Sequence, residues 1–188
     1  MAREHDAKSY LSESFLGKCF ENSSCFKLMI ADKGHQLDEE GLRDFLDEFE
    51  DKEDVINLLK ELNKSKLLLP DFILKDDEGV FFSEIKTKSS ENKVKLSDIP
   101  QKYAIKKLAA EGFEVWVIID RTDWGEKSEQ EIIEILEESG KFDKKVYPEE
   151  DKVNVNIKMD ILNERKVEDN IYMADVEITD VEKLSKNI

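Results

Sequence analysis

The sequence predicts an α/β fold in which a mixed β-sheet is flanked by helices, and three patterns support this prediction. Two apolar runs around the turn-forming residues 76–79 predict a β-hairpin. Residues 98–111 have the apolar spacing of a buried helix and are followed by the apolar stretch 113–119, so that strand, helix and strand imply a right-handed parallel crossover. Residues 38–63 contain two amphipathic patterns typical of helices. An antiparallel hairpin that continues into a parallel crossover gives a mixed sheet.

The composition is that of one globular domain. The chain has 188 residues, enough for a domain with a substantial core, and 39% of them are hydrophobic while 39% are charged. No run approaches the ~20 apolar residues of a membrane span, and residues 1–6 lack the apolar stretch of a signal peptide. Cys19 and Cys25, the two cysteines, provide neither a zinc nor a disulfide framework. We therefore expect a cytoplasmic protein with reduced cysteines and no membrane association.

Charge is distributed unevenly along the chain. The net charge of −16 argues against a general nucleic-acid binder, because phosphate contacts require Lys and Arg. Residues 37–61 contain eleven acidic and three basic side chains, whereas residues 86–107 contain seven lysines against Glu91 and Asp98. A basic stretch of this kind is the local pattern expected where a phosphate backbone approaches a protein. A solvated lysine-rich loop is the alternative explanation.

The first part of the chain is predicted to be mostly helical. Apolar spacing predicts a helix over residues 8–21, a first strand over 25–31, and two helices over 38–50 and 53–63. The acidity of the last two helices disfavours contact with DNA. It favours a cap on the fold or a surface for a protein partner.

The predicted hairpin brings charged side chains together. If residues 76–79 form its loop, Lys75 lies opposite Val80 and Asp71 lies opposite Glu84. Paired residues have Cβ atoms about 4.5–5.5 Å apart, so two carboxylates would repel each other unless a cation lies between them. Lys86 points to the same face as Glu84. A hard cation such as Mg²⁺ is commonly held by one or two carboxylates together with substrate phosphate.

Apolar side chains are expected on both faces of the hairpin. Ile73 and Phe82 share the carboxylate face, and a second apolar set lies on the opposite face: Phe72, Leu74, Phe81 and Ile85. This distribution fits a hairpin that is covered on both sides. The alternative is a surface hairpin in which Glu84 and Lys86 form a simple ion pair.

Pro70-Asp71 and Glu84-Ile85-Lys86 resemble the signature of the PD-(D/E)xK nuclease superfamily, and the resemblance extends over roughly residues 8–120. It implies a restriction-endonuclease-like core with a helical insertion at about 38–63. It also implies one or two Mg²⁺ (or Mn²⁺) ions held by Asp71, Glu84 and the carbonyl of Ile85, with Lys86 positioning the attacking water.

Two further site residues follow from the resemblance. An acid from the first helix often adds to the metal site in this superfamily, and Glu13 fits because it shares a helix face with Leu16. A rim carboxylate that reaches solvent is the alternative. Gln101 resembles a glutamine that lies next to the metal site in many members, although the frequent Gln-x-x-x-Tyr spacing is absent. Its alternative role is to complete a capping box with Asp98 at the start of the helix.

Residues 126–188 are predicted to be an extension packed on the core formed by residues 1–125. The pattern indicates a helix and a hairpin, with the helix at 128–139, strands at 153–161 and 171–178, and the strand connection at 163–166. The hairpin either extends the sheet or pairs two subunits, so a homodimer is one expectation. Asp175 and Glu177 are expected to face solvent, and this extension is expected to contribute no chemistry.

These features predict a Mg²⁺-dependent nuclease that hydrolyses phosphodiester bonds, with DNA as the expected substrate and RNA as an open alternative. The lysines expected to bind flanking phosphates are Lys88, Lys93, Lys95 and Lys102. A restriction-type endonuclease, a junction resolvase and an exonuclease all stay open. The competing prediction is a catalytically inactive nuclease-fold protein that acts as a binding or regulatory module, because an acidic surface suits a basic protein partner better than DNA.

Overall fold

The computed structural model describes residues 24–30, 36–87, 93–121 and 155–183, which form a mixed sheet flanked by helices. The predicted α/β class is therefore confirmed. In chain order the elements are β1 (Ser24–Lys27), β2 (Met29–Ile30), β3 (Gln36–Leu37), α1 (Glu39–Phe45), α2 (Lys52–Lys64), β4 (Phe72–Asp76), β5 (Gly79–Thr87), a 3₁₀ turn (Leu96–Asp98), α3 (Lys102–Ala110), β6 (Val115–Asp120), β7 (Val155–Glu168) and β8 (Ile171–Lys183). Glu13, Lys88 and the predicted helices at 8–21 and 128–139 lie outside the described residues.

The main sheet has six strands in the order β1-β4-β5-β6-β8-β7 within the described part of the chain. β5 pairs with β6 in parallel, and β6 pairs with β8 in parallel, whereas the other neighbours are antiparallel. The helix α3 connects β5 to β6, which is the predicted parallel crossover. The carboxyl ends of β5, β6 and β8 therefore meet at one edge of the sheet, where ligands bind in many α/β proteins.

The β4–β5 hairpin has the predicted register, with Lys75 opposite Val80 and Phe72 opposite Ser83. Its loop is shorter than predicted, because Asp76 and Gly79 are themselves paired. The Asp76 carboxylate accepts hydrogen bonds from the N–H groups of Glu78 (2.8 Å) and Gly79 (3.1 Å), which closes the turn. Gly79 adopts a φ of 143°, a value that side-chain-bearing residues rarely adopt.

Both faces of the sheet are covered with apolar side chains, as the hairpin pattern predicted. One face packs Ile73, Phe82 and Val117 into a core with side chains of α1, α2 and α3. The opposite face carries a second cluster that includes Leu74 and Ile118. Because Glu84 alternates with Ile85 along β5, its side chain lies on the first of these faces, beneath the helices.

The helix α3 begins later than predicted. The capping-box prediction at Asp98 is wrong, since the helix starts at Lys102 and Gln101 occupies its N-cap position without a side-chain capping bond. The Asp98 carboxylate instead accepts a hydrogen bond from the N–H of Lys95 (3.0 Å) and so closes the preceding 3₁₀ turn. The end of the helix is as predicted: Gly112, at a φ of 94°, donates its N–H to Ala109.

The N-terminal strand and the acidic helices also differ from their predicted bounds. The predicted strand over 25–31 is interrupted at Leu28, which is fully buried, and β2 turns away to pair with β3. The helix predicted over 38–50 ends as α1 at Phe45, whereas α2 lies close to its predicted position. None of the helices in the described ranges is both long and apolar enough to span a membrane.

The C-terminal hairpin extends the sheet, which was one of its two predicted roles. The prediction that residues 163–166 connect its strands is wrong, because they lie within β7 and the turn is formed by Asp169 and Asn170. Asn170 has a φ of 62°, which suits a tight turn between antiparallel strands. The prediction that Asp175 faces solvent is also wrong: 13% of its side chain is exposed, and two arginines contact it.

Candidate metal and phosphate site

The hairpin register places Asp71 and Glu84 side by side at the end of the β4–β5 ladder. The backbone N–H of Asp71 donates to Glu84 Oε2 (3.1 Å), and the backbone N–H of Ile85 donates to Asp71 Oδ2 (2.8 Å). Each carboxylate is therefore fixed by the backbone of the neighbouring strand. The predicted proximity of the two carboxylates is present in the structure, while their role as metal ligands stays a prediction.

Glu84 is a fully buried carboxyl group in an otherwise apolar layer. Burial raises its pKa well above the ordinary value, and the negative charge of Asp71 raises it further, while the Lys86 ammonium and the Asp71 N–H oppose both effects. The ionised form of Glu84 is therefore costly in the folded protein. A cation placed between Glu84 and Asp71 would relieve both the burial cost and the repulsion.

Lys86 is the cationic side chain that meets Glu84. Its Nζ lies 2.5 Å from Glu84 Oε1, and 24% of the lysine side chain is exposed. This charged contact holds Oε1 against the ammonium, and it lowers the pKa of Glu84 against the opposing effects of burial and Asp71. The lysine side chain therefore spans from the buried carboxylate to the protein surface.

Two buried side-chain oxygens in the described part of the chain lack a hydrogen-bond partner, and both belong to residues predicted for the site. They are Glu84 Oε1 and Gln101 Oε1. Buried polar atoms are nearly always hydrogen-bonded, and an exception is explained by strain, a catalytic role, a water or an ion. For Glu84 Oε1, the Lys86 ammonium already supplies a compensating charge. Gln101 lies at the N-cap of α3, and no described contact joins it to Asp71 or Glu84.

The donor set fits a small, hard cation. Asp71 and Glu84 supply carboxylate oxygens, the main chain at Ile85 can supply a carbonyl oxygen, and Mg²⁺ commonly takes one or two protein carboxylates with substrate and water completing its shell. No cluster of three or more His, Cys, Asp or Glu side chains suited to a metal occurs among residues that the structure describes. The third predicted acid, Glu13, lies outside them.

The predicted phosphate-binding lysines lie after β5 and at the start of α3. Lys93 and Lys95 are exposed on either side of the buried Val94. Lys102 is partly buried, with Nζ 3.3 Å from the carbonyl of Ser97 and 5.2 Å from the ring centre of Tyr103. All three ammonium groups belong to one short segment of chain, which is compatible with contact to a single phosphate backbone.

Sequence reasoning missed a cluster of charges on the C-terminal hairpin. Asp175 Oδ1 accepts from Arg121 Nε (3.0 Å), and Asp175 Oδ2 accepts from Arg165 Nη1 (3.1 Å). Asp175 alternates with apolar neighbours in β8, which is the pattern of a half-buried strand with polar groups in solvent. Nothing in that local pattern indicates two arginines that are 54 and 10 residues away.

Comparison with known proteins gives no relative: no protein-family model, no curated protein and no solved structure matches this chain.

Proposed function

We propose that this protein is a metal-dependent nuclease with a restriction-endonuclease-like core, acting on DNA. The observation that carries the proposal is the buried Glu84 carboxyl group, set beside the Asp71 carboxylate and in contact with the Lys86 ammonium. A structural ion pair needs no second carboxylate at this position, and a buried pair of like charges is costly. A bound divalent cation would relieve that cost.

Glu84, Asp71 and the carbonyl of Ile85 would hold Mg²⁺ or Mn²⁺. Bound there, the ion would supply Lewis-acid stabilisation of the scissile phosphate and lower the pKa of an attacking water. The chain's own contributions are positional. The Asp71 N–H and Ile85 N–H fix the two carboxylates, and Lys86, freed from Glu84, would donate to the attacking water or to a phosphate oxygen.

The basic segment would bind the substrate beside this site. Lys93, Lys95 and Lys102 would contact phosphates that flank the scissile bond, and Lys88 belongs to the same proposal. A protein of net charge −16 repels DNA at long range, so its binding would depend on these local contacts and would weaken steeply with salt.

A second function is favoured by the acidity of the chain. α1 and α2 belong to the stretch 37–61, with eleven acidic and three basic residues, which suits a basic protein partner. In that case the nuclease fold would serve as a binding or regulatory module without cleavage. If Asp71 and Glu84 bind a metal ion but the protein cleaves no nucleic acid, this alternative is favoured.

The test is cleavage of plasmid, linear duplex, single-stranded and four-way-junction DNA at low salt, with Mg²⁺ or Mn²⁺. Asp71→Asn keeps an oxygen for the Ile85 N–H but removes the charge, and Lys86→Ala removes the ammonium. We expect each change to slow cleavage at least about a hundredfold, the lower range for losing a group that acts on protons in the transition state.

Lys60→Ala is the matched control, because it removes the same charge from α2, where Lys60 pairs with Glu39. It should leave the cleavage rate unchanged. Cleavage that persists in Asp71→Asn and Lys86→Ala would overturn the proposed site. Absence of cleavage in the wild type, together with a metal-induced rise in Tm that Asp71→Asn removes, would favour the binding module.

A further inference from the structure

The Arg121–Asp175–Arg165 cluster lies on the same sheet face as the candidate site. In the register, Glu84 is level with Val117 of β6 and Met173 of β8, and Met173 is opposite Arg165 of β7. The next row on this face runs from Lys86 through Ile119 to Asp175. Since neighbouring strands are about 4.8 Å apart, Asp175 lies roughly 10 Å from Lys86 across two strand spacings.

Arg165 also reaches across to the basic segment. Its Nη2 donates to the backbone carbonyl of Val94 (3.1 Å), while its Nη1 holds Asp175 (3.1 Å). The Val94 side chain is buried in the apolar cluster on the Glu84 face, and Lys93 and Lys95 on either side of it are exposed. The Arg165 guanidinium therefore links the main chain at Val94, between the two lysines, to the C-terminal hairpin.

The contacts of Arg165 with Asp175 and Val94 form a rigid link. Asp175 is largely buried and receives a second arginine, Arg121, which directly follows β6. The planar guanidinium of Arg165 can satisfy a carboxylate and a carbonyl at once, which a lysine ammonium on a flexible stem does not reproduce. Hydrogen bonds from charged donors are stronger than neutral ones.

We propose that Arg165 is a positioning residue for substrate binding: held by Asp175, it fixes the segment of Lys93 and Lys95 so that both ammonium groups meet the nucleic-acid backbone beside the candidate metal site. This inference rests on the proposed nuclease function. It gives the C-terminal hairpin a role in substrate binding, where the sequence indicated none.

The first arm of the test needs no nucleic acid. Hydrogen exchange is measured at the amides of Lys95 and Asp98, which bond to the Asp98 carboxylate and to the Lys95 carbonyl. Arg165→Gln should speed exchange at both amides about fivefold, the effect of losing one hydrogen bond, while exchange in β5 stays unchanged. Lys166→Gln is the control, because Lys166 is exposed, lies on the other face and pairs with Asp169.

The second arm measures the Kd for a DNA duplex, with Ca²⁺ in place of Mg²⁺, for Arg165→Gln, for the pair Lys93→Ala/Lys95→Ala, and for the triple variant. Arg165→Gln should weaken binding about three- to tenfold, and the lysine pair should reduce the salt slope of log Kd by about two. If Arg165 acts through the lysines, the triple variant binds no more weakly than the pair. Under cleaving conditions Arg165→Gln should raise KM and leave kcat within about twofold.

Arg165→Lys separates positioning from direct contact. It keeps the charge but cannot bridge Asp175 and Val94, so it should behave like Arg165→Gln. Wild-type affinity in Arg165→Lys, additive losses in the triple variant, or unchanged exchange at Lys95 would each overturn the inference. A wild type that binds no DNA would overturn the proposed function and this substrate role together, even if exchange at Lys95 still increased in Arg165→Gln.

Discussion

Replacing Glu84 by glutamine tests the group that is most unusual in this fold, a carboxylate buried against another carboxylate. Glutamine has nearly the same shape, and its carbonyl oxygen can still accept from the N–H of Asp71, so the packing is kept while the charge is removed. Because burial and the Asp71 charge raise the pKa of Glu84, the folded protein holds this proton more tightly than the unfolded chain. The wild type therefore loses stability relative to Glu84→Gln as the pH rises from near the ordinary value of 4.5 through the raised folded pKa.

The expected change in the free energy of unfolding follows from the charge interactions that Glu84→Gln removes. Replacing a whole buried ion pair with apolar groups of similar volume is often neutral or stabilises a protein by about 1–4 kcal/mol, whereas removing one partner costs about 3–5 kcal/mol when the remaining charge is buried. Glu84→Gln removes one partner of the pair, but the Lys86 side chain that remains is partly exposed, and the substitution also removes the cost of holding a second negative charge beside Asp71. We expect the metal-free variant to be about 1–2 kcal/mol more stable than the wild type near pH 8, a rise in Tm of about 2–8 °C, and to match it near pH 4.

The assay is thermal and urea unfolding across this pH range with a chelator present, followed by circular dichroism. Glu61→Gln is the control, since it removes one negative charge at an exposed position of α2 and tests the general effect of the net charge of −16. A Glu84→Gln protein that is less stable than the wild type throughout neutral pH would refute the argument that the ionised carboxylate is costly. In a second measurement, Mg²⁺ replaces the chelator. It should stabilise the wild type but not Glu84→Gln, by about 2.7 kcal/mol at one hundred times its Kd.

Substitutions at three further positions test the surrounding structure. Lys86→Gln should bind Mg²⁺ at least as tightly as the wild type by calorimetry, because the competing ammonium is gone. The variant should cleave DNA at least about a hundredfold more slowly. Weaker metal binding would contradict the ion-pair geometry. Gly79→Ala meets no atom within 4 Å, so its expected cost of about 1–3 kcal/mol in urea unfolding is backbone strain alone, and an unchanged midpoint would refute the positive φ. Asn170→Ala removes both the tolerance for a positive φ and the hydrogen bond to the Ala109 carbonyl (3.1 Å), so it should lower the free energy of unfolding by about 2 kcal/mol. Asn170→Gly removes only the hydrogen bond and should cost about half of that. Equal losses would show that φ contributes nothing.

The local parts of the fold were predictable because local physics determines them. The register of the β4–β5 hairpin follows from the turn residues and from side-chain alternation, so Asp71 and Glu84 could be placed together although 13 residues separate them. The end of α3 at Gly112 follows equally from a residue that tolerates a positive φ. The start of that helix was not predictable, because Asp98 can cap either the 3₁₀ turn or the helix, and only packing selects between them.

The sequence by itself determined the hairpin register, the crossover and the proximity of two carboxylates and a lysine, since each depends on residues close in the chain. Tertiary structure alone decided that Glu84 is buried beneath the helices, and that Arg165 reaches Val94 across 71 residues to link the C-terminal hairpin to the basic segment. The physical reason is that burial and long-range charge pairing depend on which surfaces meet. A periodic pattern shows which face of a strand is apolar, but it carries no information about the distant group that packs against it.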